Sequence, residues 1–221
     1  MKIILIGAPG SGKSDIAKRL ARNLNRDWMK PSDISGIPAS VHAQRWVVID
    51  GYIDRLTKRT GCVYGKEADY EHNLQIVVKR WTLEAEADHQ GCSTITCGSM
   101  YETLFWSSLI NSLIPPSEEA FVYETEVAQI AMGFLGEMER RTFNYNAIFY
   151  LPWSEEQRSG AHSWEGVLDA KLLQILDGMH RFGIPLAGTP RQKVTHALEV
   201  IRAIRAEVLR GAASSDDEPT V

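Results

Sequence analysis

Short apolar segments alternate with longer segments of helical periodicity along the chain. The apolar segments are rich in β-branched residues, which is typical of buried parallel strands. Between them, apolar side chains recur every three or four residues, as they do in amphipathic helices. The strands are predicted at Lys2–Ile6, Trp46–Asp50, Ser93–Cys97, Asn146–Leu151 and Ile184–Gly188. This alternation predicts an α/β fold in which helices cover both faces of a five-stranded parallel sheet.

The predicted helices differ in how clearly they show a buried face. The first follows Ser14 and carries one apolar stripe, formed by Ile16, Ala17, Leu20, Ala21 and Leu24. A long helix is predicted over residues 69–90, with an apolar side formed by Leu74, Val77, Val78, Trp81 and Ala85. A short helix that begins at residue 55 is predicted to end before a turn at 61–65. Less regular helices are predicted over 101–113, 117–141 and 167–182, and a final one begins at residue 189.

Two segments lack helical or strand periodicity. Residues 25–45 contain Pro31, Gly36 and Pro38 and are predicted to form a long connection after the first helix. Residues 212–221 are polar and acidic, so we expect a disordered tail there. A single domain is therefore expected over residues 1–211, with a helical insertion between the third and fourth strands.

The loop after the first strand carries the most specific motif of the chain. Residues 7–14 read GAPGSGKS and fit G-x-x-x-x-G-K-[ST], the phosphate-binding loop (P-loop). Its glycines allow successive N–H groups to face one anion, and the following helix directs its positive end there. We predict that ATP is bound by this loop and the next residue, that is by Gly7, Ala8, Pro9, Gly10, Ser11, Gly12, Lys13, Ser14 and Asp15.

Individual side chains of this segment suggest divided roles. Lys13 supplies a mobile cation for the β- and γ-phosphates, and Ser14 offers a hydroxyl to Mg²⁺. The turn that contains Thr189 and Arg191, between the last strand and the last helix, is where we expect the adenine. The chain lacks an N-K-x-D motif for guanine, which favours ATP over GTP.

Asp50 ends the second predicted strand and is the leading candidate for acid–base chemistry. Ligands of open parallel sheets bind at the carboxyl ends of strands, so Asp50 is expected beside the P-loop. It would hold Mg²⁺ or accept a proton from an attacking hydroxyl, and the alternative is that it caps the next helix. Acceptor-binding candidates follow on the same side, although solvation or ordinary packing also explains each of them: Asp54, Arg55, Tyr70 and Tyr101.

The third strand ends without the acid that many P-loop enzymes place there to hold Mg²⁺. The chain reads Cys97-Gly98-Ser99 instead, which leaves the metal to Asp50 or to Glu102. After the fourth strand, residues 153–166 are polar and contain Arg158. We interpret them as a lid that closes over the transferring phosphate, with Arg158 stabilising its charge; the alternative is a plain surface loop.

Composition narrows the class of protein. The 221 residues carry a net charge of −4, so a generic affinity for nucleic acid is not expected. No apolar stretch is long enough to span a bilayer, and the first residues already form a core strand instead of a signal peptide, so we expect a cytoplasmic protein. The three cysteines are expected to be free thiols, without structural zinc. Nothing in the sequence indicates an oligomeric state.

Three segments together make the chain similar to small P-loop kinases of the nucleoside and nucleotide kinase superfamily. They are GAPGSGKS at 7–14, VVIDGYID at 47–54 and AIFYLPWSEEQR at 147–158. The last resembles the strand and lid of nicotinamide riboside kinase-like and phage-encoded nucleotide kinase-like proteins. The acid after the second strand resembles the acidic pair of shikimate kinase-like enzymes. The resemblance implies a three-layer P-loop NTPase fold, ATP and Mg²⁺ as cofactors, and Lys13, Asp50 and Arg158 as catalytic residues.

The resemblance predicts transfer of the ATP γ-phosphate to a nucleoside or a nucleoside monophosphate. A hydroxymethylated base in DNA, such as 5-hydroxymethyluracil, is a second candidate acceptor because phage kinases of this build act on one. The net charge argues against DNA, whereas the long connection with Arg26, Lys30 and Arg45 argues for a large acceptor. Two other classes stay open, namely an ATP-hydrolysing switch and a nucleotide-binding module without catalysis.

Overall fold

The computed structural model describes the sheet, three long helices and a few shorter pieces of the chain. The described residues are 1–7, 10–28, 45–50, 58–61, 70–98, 102, 129–130, 132–133, 136, 145–152, 170, 172–174, 176–177 and 182–215. The strands are β1 (Lys2–Ile6), β2 (Trp46–Ile49), β3 (Ser93–Cys97), β4 (Ala147–Tyr150) and β5 (Ile184–Pro185). The long helices are α1 (Lys13–Trp28), α2 (Tyr70–His89) and α3 (Pro190–Ser215).

The five strands form one parallel sheet in the order β2-β3-β1-β4-β5. This confirms the predicted α/β fold with a five-stranded parallel sheet. β1 lies at the centre, between β3 and β4. The residue after each of these two strands still donates a backbone hydrogen bond to β1: Gly98 N–H to the Leu5 carbonyl (2.8 Å) and Leu151 N–H to the Ile6 carbonyl (2.9 Å). The loop that leaves β1 is therefore flanked on both sides by the chain leaving β3 and β4.

Both faces of β1 are buried, as its continuous apolar sequence predicts. Ile3 and Leu5 belong to a core cluster with residues of α1 and α3, whereas Ile4 and Ile6 point to the opposite face and are also fully buried. All five residues of the predicted α1 stripe are buried, which confirms that stripe. The hydrophobic–polar pattern thus correctly identified the face by which α1 covers the sheet.

The predicted boundaries are wrong at the end of α1, along β5 and at the start of the C-terminal tail. α1 continues to Trp28, although residues 25–28 were predicted to be non-helical. The side chain of Asn25 forms two hydrogen bonds with the backbone of Trp46, at 2.9 and 3.0 Å, which attach the end of α1 to β2. β5 has only two residues, Ile184 and Pro185, although the Leu186 N–H still donates to the Tyr150 carbonyl at 2.7 Å. α3 extends to Ser215, so the predicted disordered tail begins with helix.

The less regular predicted helices are described only in part. Residues 58–60, 102, 129–130, 132–133, 136, 170, 172–174 and 176–177 are helical and lie within predicted helices. Phe182 was predicted as a final helical residue but is non-helical and 81% exposed. The lid at 153–166 and residues 216–221 lie outside the described residues. None of the described helices combines the length and apolar character needed to cross a bilayer.

The buried face of α2 differs from the predicted one. Val78 is 46% exposed and Ala85 is exposed, whereas two charged residues of the helix, Arg80 and Glu84, are each 2% exposed. Among the described side chains of α2, the buried ones recur at helical spacing: Ile76, Val77, Arg80, Glu84 and Ala87. Hydropathy alone misplaced this face because buried charges are retained where other elements supply partners for them.

A hydrogen-bond partner of Glu84 comes from the residues just before β4, and a nearby cation comes from the start of β1. The Tyr145 hydroxyl lies 3.0 Å from both carboxylate oxygens of Glu84, and Lys2 forms an ion pair with Asp88 one turn further along α2. Burial raises the pKa of Glu84 above its ordinary value, against the lowering effects of the Tyr145 hydrogen bond, Lys2 and Arg80. The buried carboxyl group is therefore less readily ionised in the folded chain than in the unfolded one.

This raised pKa predicts a stability that declines with rising pH. The contribution is fully present below the unfolded value of 4.5 and is lost as pH rises through the higher folded pKa. Each unit of pKa difference corresponds to about 1.4 kcal/mol. In Glu84→Gln, which keeps an acceptor for Tyr145, we expect a smaller loss of unfolding free energy between about pH 5 and about pH 8 than in the unchanged chain.

The measurement is urea unfolding at both pH values, with Glu86→Gln as the control. Glu86 lies on the same helix but is exposed, so its substitution is expected to leave the pH dependence unchanged. Parallel pH profiles for Glu84→Gln and the unchanged chain would contradict the assignment.

Candidate functional site

The P-loop joins the carboxyl end of β1 to the amino end of α1. Gly10 and Gly12 have φ angles of 79° and 84°, a region that L side chains rarely adopt. The carbonyl of Gly12 accepts the first helical hydrogen bond, from the N–H of Ile16 at 3.1 Å. The described part of the loop thus has the backbone form that its glycines predict, and the positive end of α1 lies at it.

The Lys13 ammonium lies against the start of the loop. Its Nζ donates a hydrogen bond to the Gly7 carbonyl at 2.5 Å and lies 3.8 Å from Oε1 of Glu102. The side chain is 16% exposed, so this cation is held close to the protein surface and largely shielded from water. The Lys13 ammonium would therefore lie close to a phosphate bound at the loop.

Ser14 and Asp50, which were predicted to act together, are in direct contact. The Ser14 hydroxyl donates to Oδ1 of Asp50 at 2.7 Å, and Lys18 Nζ lies 3.6 Å from Oδ2. Asp50 directly follows β2, so the sheet brings its carboxylate to the first turn of α1. The alternative role for Asp50, capping a following helix, involves residues 51–57, which lie outside the described residues.

Glu102 supplies a carboxylate beside the end of β3, where the sequence has no acid. It is 5% exposed, and its Oε1 accepts a hydrogen bond from the Gly7 N–H at 3.1 Å. Its Oε2 lies 3.8 Å from Nη2 of Arg80 on α2. Glu102, which follows β3, thus brings a negative charge to the P-loop. It is one of the two acids that the sequence analysis named as candidates to hold the metal.

Cys97, at the strand position where an acid was expected, stays neutral. Burial, followed by the nearby charge of Asp50, raises the pKa of its thiol to about 12. The thiol is 3% exposed and forms part of the core cluster. Within the described part of the chain, Asp50 and Glu102 supply negative charge at this edge of the sheet.

The described donors near the loop suit Mg²⁺ better than a metal held entirely by protein. Magnesium binds through one or two carboxylates and keeps several waters or phosphate oxygens, and a serine hydroxyl beside a carboxylate matches that preference. Ser14 and Asp50 form such a pair of hard oxygen donors. No group of three or more histidine, cysteine, aspartate or glutamate side chains is placed to hold a metal in the part of the chain described.

The turn predicted to hold adenine lies on the other side of the P-loop. Thr189 follows β5, whereas Asp50 follows β2 at the opposite edge of the sheet. Thr189 caps α3 reciprocally with Gln192: the Thr189 N–H donates to Gln192 Oε1 at 2.9 Å, and the Gln192 N–H donates to Thr189 Oγ1 at 3.3 Å. Arg191 is exposed beside this cap. The sheet order thus places the predicted adenine-binding turn and Asp50 on opposite sides of the P-loop.

Of the remaining predicted site residues, Asp15 is described in full, Tyr70 by its backbone, and the others lie outside the described residues. The Asp15 carboxylate accepts a hydrogen bond from Nε of Arg19 at 2.7 Å on the exposed side of α1. Tyr70 begins α2, and its side chain is outside the described part of the structure. Six other predicted residues lie entirely outside the described residues: Ala8, Pro9, Asp54, Arg55, Tyr101 and Arg158.

Sequence reasoning missed Arg80, because a charged residue in a helix usually is exposed. Lys18 is exposed, as such residues usually are, but it was not considered as a neighbour of Asp50. The usable signal for Arg80 is its position on the helical face of Ile76, Glu84 and Ala87. For Lys18 the signal is its position one turn after Ser14, on the same face of α1.

Gly98 allows the Arg80–Glu102 pair to sit against the end of β3. A Cβ at Gly98 would meet Arg80 Nη2 at 2.5 Å and would also collide with the Glu102 carboxylate. Gly91 provides a matched control, because its φ of 65° is similar to the 75° of Gly98 but a Cβ there meets nothing within 4 Å.

We expect Gly98→Ala to destabilise the chain more than Gly91→Ala does. Both changes incur the strain of a positive φ, about 1–2 kcal/mol, and crowding at Gly98 adds about 1–3 kcal/mol. Denaturant unfolding of the two variants measures the difference. Equal losses would show that Arg80 and Glu102 do not occupy the space beside Gly98.

Comparison with known proteins shows the fold. No known family model matches the sequence, and no curated protein sequence matches it. A crystal structure of NadR protein in complex with NR matches with a TM-score of 0.66 at 11% identity, over 92% of this chain and 50% of that one. This chain therefore spans half of the length of the NadR chain.

A second solved structure matches along nearly its whole length. Thymidylate kinase from Candida albicans has a TM-score of 0.54 at 16% identity, and the match covers 91% of both chains. At these identities the similarities show that the chain shares the fold of both proteins.

Proposed function

We propose that this protein is an ATP-dependent phosphotransferase that moves the γ-phosphate of ATP to a nucleoside or a nucleoside monophosphate. The observation that carries the proposal is the 2.7 Å hydrogen bond between the Ser14 hydroxyl and the Asp50 carboxylate. It joins the last residue of the phosphate-binding motif to an acid from a different strand. A loop that merely binds phosphate does not require such an acid.

The loop and α1 would hold the triphosphate. Backbone N–H groups at the amino end of α1 favour an anion, and the Lys13 ammonium would leave the Gly7 carbonyl to contact phosphate oxygens. The Ser11 hydroxyl is buried without a hydrogen-bond partner among the described residues, and such groups are rare in folded proteins. An anion in the loop would offer it one.

Magnesium, when bound, would neutralise charge on the transferring phosphate, and Ser14 and Asp50 are the residues suited to hold it. The positive charge of Lys18, 3.6 Å from Asp50 Oδ2, helps to keep that oxygen in place. Two further roles complete the proposal. Arg158 in the predicted lid would stabilise charge on the transferring phosphate, and the turn at Thr189 and Arg191 would bind the adenine.

The proposed chemistry is a single displacement at phosphorus. An acceptor oxygen forms a bond to the γ-phosphorus while the bond from that phosphorus to the β–γ bridging oxygen breaks, and ADP leaves. A hydroxyl acceptor must lose its proton, which Asp50 would accept, whereas a phosphate acceptor has none to lose at neutral pH. The presence of Asp50 beside the loop therefore favours the nucleoside hydroxyl within this class.

The structural similarities support the same acceptor class. One matching structure is of NadR in complex with NR and the other is of a thymidylate kinase. At 11% and 16% identity they share a fold with this chain, and the acceptor has to be found by assay.

The acceptor is tested with ATP labelled at the γ-phosphate. The panel comprises nucleosides, nucleoside monophosphates, DNA containing 5-hydroxymethyluracil, and no acceptor. We expect label in a nucleoside or monophosphate product. Label transferred only to DNA would favour the alternative acceptor, and release of phosphate without any acceptor would favour an ATP-hydrolysing switch.

In the same assay we expect Lys13→Ala to reduce transfer by roughly 10²–10³-fold, because the variant lacks the cation that stabilises charge on the phosphates. Lys79→Ala removes a lysine from α2 and is expected to retain full activity. Unchanged turnover in Lys13→Ala would contradict the P-loop assignment.

For Asp50→Asn we expect a fall in kcat of about 10²-fold or more with a nucleoside acceptor, with little change in acceptor KM, because a proton acceptor has been removed. Steady-state kinetics measure both constants. Asp177→Asn, the same change at an exposed helical residue, is the control. A change confined to KM would make Asp50 a binding residue instead of a base.

A further inference from the structure

Arg80, Glu102 and Lys13 form a buried line of charges that leads from α2 to the P-loop. Arg80 is 2% exposed and Glu102 is 5% exposed. One carboxylate oxygen of Glu102 lies 3.8 Å from Arg80 Nη2, and the other lies 3.8 Å from Lys13 Nζ. The second oxygen also accepts the Gly7 N–H at 3.1 Å. A residue of α2 is thus linked to the loop through one carboxylate.

The position of this line is set by the end of β3. Gly98 N–H is bonded to the Leu5 carbonyl of β1, and its missing Cβ leaves the space that Arg80 and Glu102 occupy. The pair therefore sits directly beside the strand from which the P-loop departs. Its charges act on Lys13 at short range and in an environment largely without water, where they are weakly screened.

The Glu102 carboxylate faces two cations, Lys13 and Arg80, and of these Lys13 is the one proposed to bind phosphate. To contact a triphosphate, Lys13 must give up part of its attraction to Glu102. Arg80 on the other oxygen neutralises much of the carboxylate charge, which weakens the hold of Glu102 on Lys13. Without Arg80, a buried carboxylate would have Lys13 as its remaining cation in this line and would compete with phosphate for it.

We propose that Arg80 is a positioning residue that sets the affinity of the P-loop for triphosphate through Glu102, without touching the phosphates itself. The proposal depends on the proposed function, since it assumes that the loop binds a triphosphate. Under this proposal α2 contributes both to the buried contact between Glu84 and Tyr145 and to triphosphate affinity at the P-loop. A purely structural role for the Arg80–Glu102 pair is the competing explanation.

Charge-matched variants separate the two explanations. Arg80→Met leaves Glu102 free to hold Lys13, whereas the double variant Arg80→Met with Glu102→Gln has the same net charge in this line as the unchanged chain. The amide introduced by Glu102→Gln retains an oxygen that can accept the Gly7 N–H. If Arg80 acts through the Glu102 charge, the second substitution reverses the effect of the first on binding.

The readout is the Kd of ATP by calorimetry in a buffer with EDTA, so that divalent metal does not contribute. We expect Arg80→Met to weaken binding by about tenfold or more, and the double variant to return to within about threefold of the unchanged chain. Lys79→Met, the neighbouring charge change on α2, is expected to alter Kd by less than about twofold. Thermal unfolding of each variant reports stability separately from affinity.

Two results would overturn the proposal. One is an Arg80→Met variant that binds ATP as Lys79→Met does, and the other is a double variant as weak as Arg80→Met, which would place the effect in helix packing. Arg80→Lys retains the charge and is expected to bind within about threefold of the unchanged chain. If Arg80→Met fails to fold, a tenfold loss in Arg80→Lys or in the double variant overturns the proposal instead.

A measurement without nucleotide keeps this proposal distinct from the proposed function. Hydrogen exchange at the Gly7 amide is expected to be about tenfold faster or more in Glu102→Ala than in the unchanged chain, because the carboxylate acceptor is gone. If the unchanged chain binds no ATP, the proposed function fails and the affinity role of Arg80 fails with it. If ATP binds but Gly7 exchange is the same in Glu102→Ala, the link through Glu102 is overturned and the proposed function stands.

Discussion

The hydrogen-bonded pairing of β1 between β3 and β4 is the interaction on which the rest of the structure depends. It buries a strand of continuous apolar residues and places the loop that follows at the middle of the sheet. The ladder continues at Gly98 on one side and at Leu151 on the other, so that the chain leaving each neighbour flanks the loop. Parallel strands end at one edge, and this is why a residue from β2 and one following β3 meet the first turn of α1.

Charge at this edge is distributed among several elements. Two carboxylates, Asp50 and Glu102, lie among three cations, Lys13, Lys18 and Arg80, and each carboxylate oxygen of Glu102 has its own positive neighbour. The thiol of Cys97 is kept neutral by burial beside these acids. The sum over these five charged groups is therefore positive, and the two buried ones, Arg80 and Glu102, lie beside Lys13. Such an arrangement suits the binding of an anion at the loop.

Sequence patterns predicted those parts of the fold whose partners are local or apolar. The β1 strand, the α1 stripe and the P-loop motif follow from short-range spacing, and Asp50 lies beside the P-loop, as its place at the end of a parallel strand predicted. The buried face of α2 could not be predicted in this way, because Arg80 is buried by a partner 22 positions along the chain, at Glu102. Asn25 was misread for the same reason, since its helical position depends on backbone groups of Trp46. Hydropathy contains no information on such long-range polar partners.

The most direct test of the account is a crystal structure of the chain with Mg²⁺ and a non-hydrolysable ATP analogue. The account predicts that the phosphates lie on the amino end of α1, with Lys13 Nζ on phosphate oxygens and Asp50 on the side of the terminal phosphate. It further predicts that the Arg80–Glu102 pair stays beside Gly98. An analogue bound elsewhere on the sheet, or a terminal phosphate remote from both Lys13 and Asp50, would contradict it.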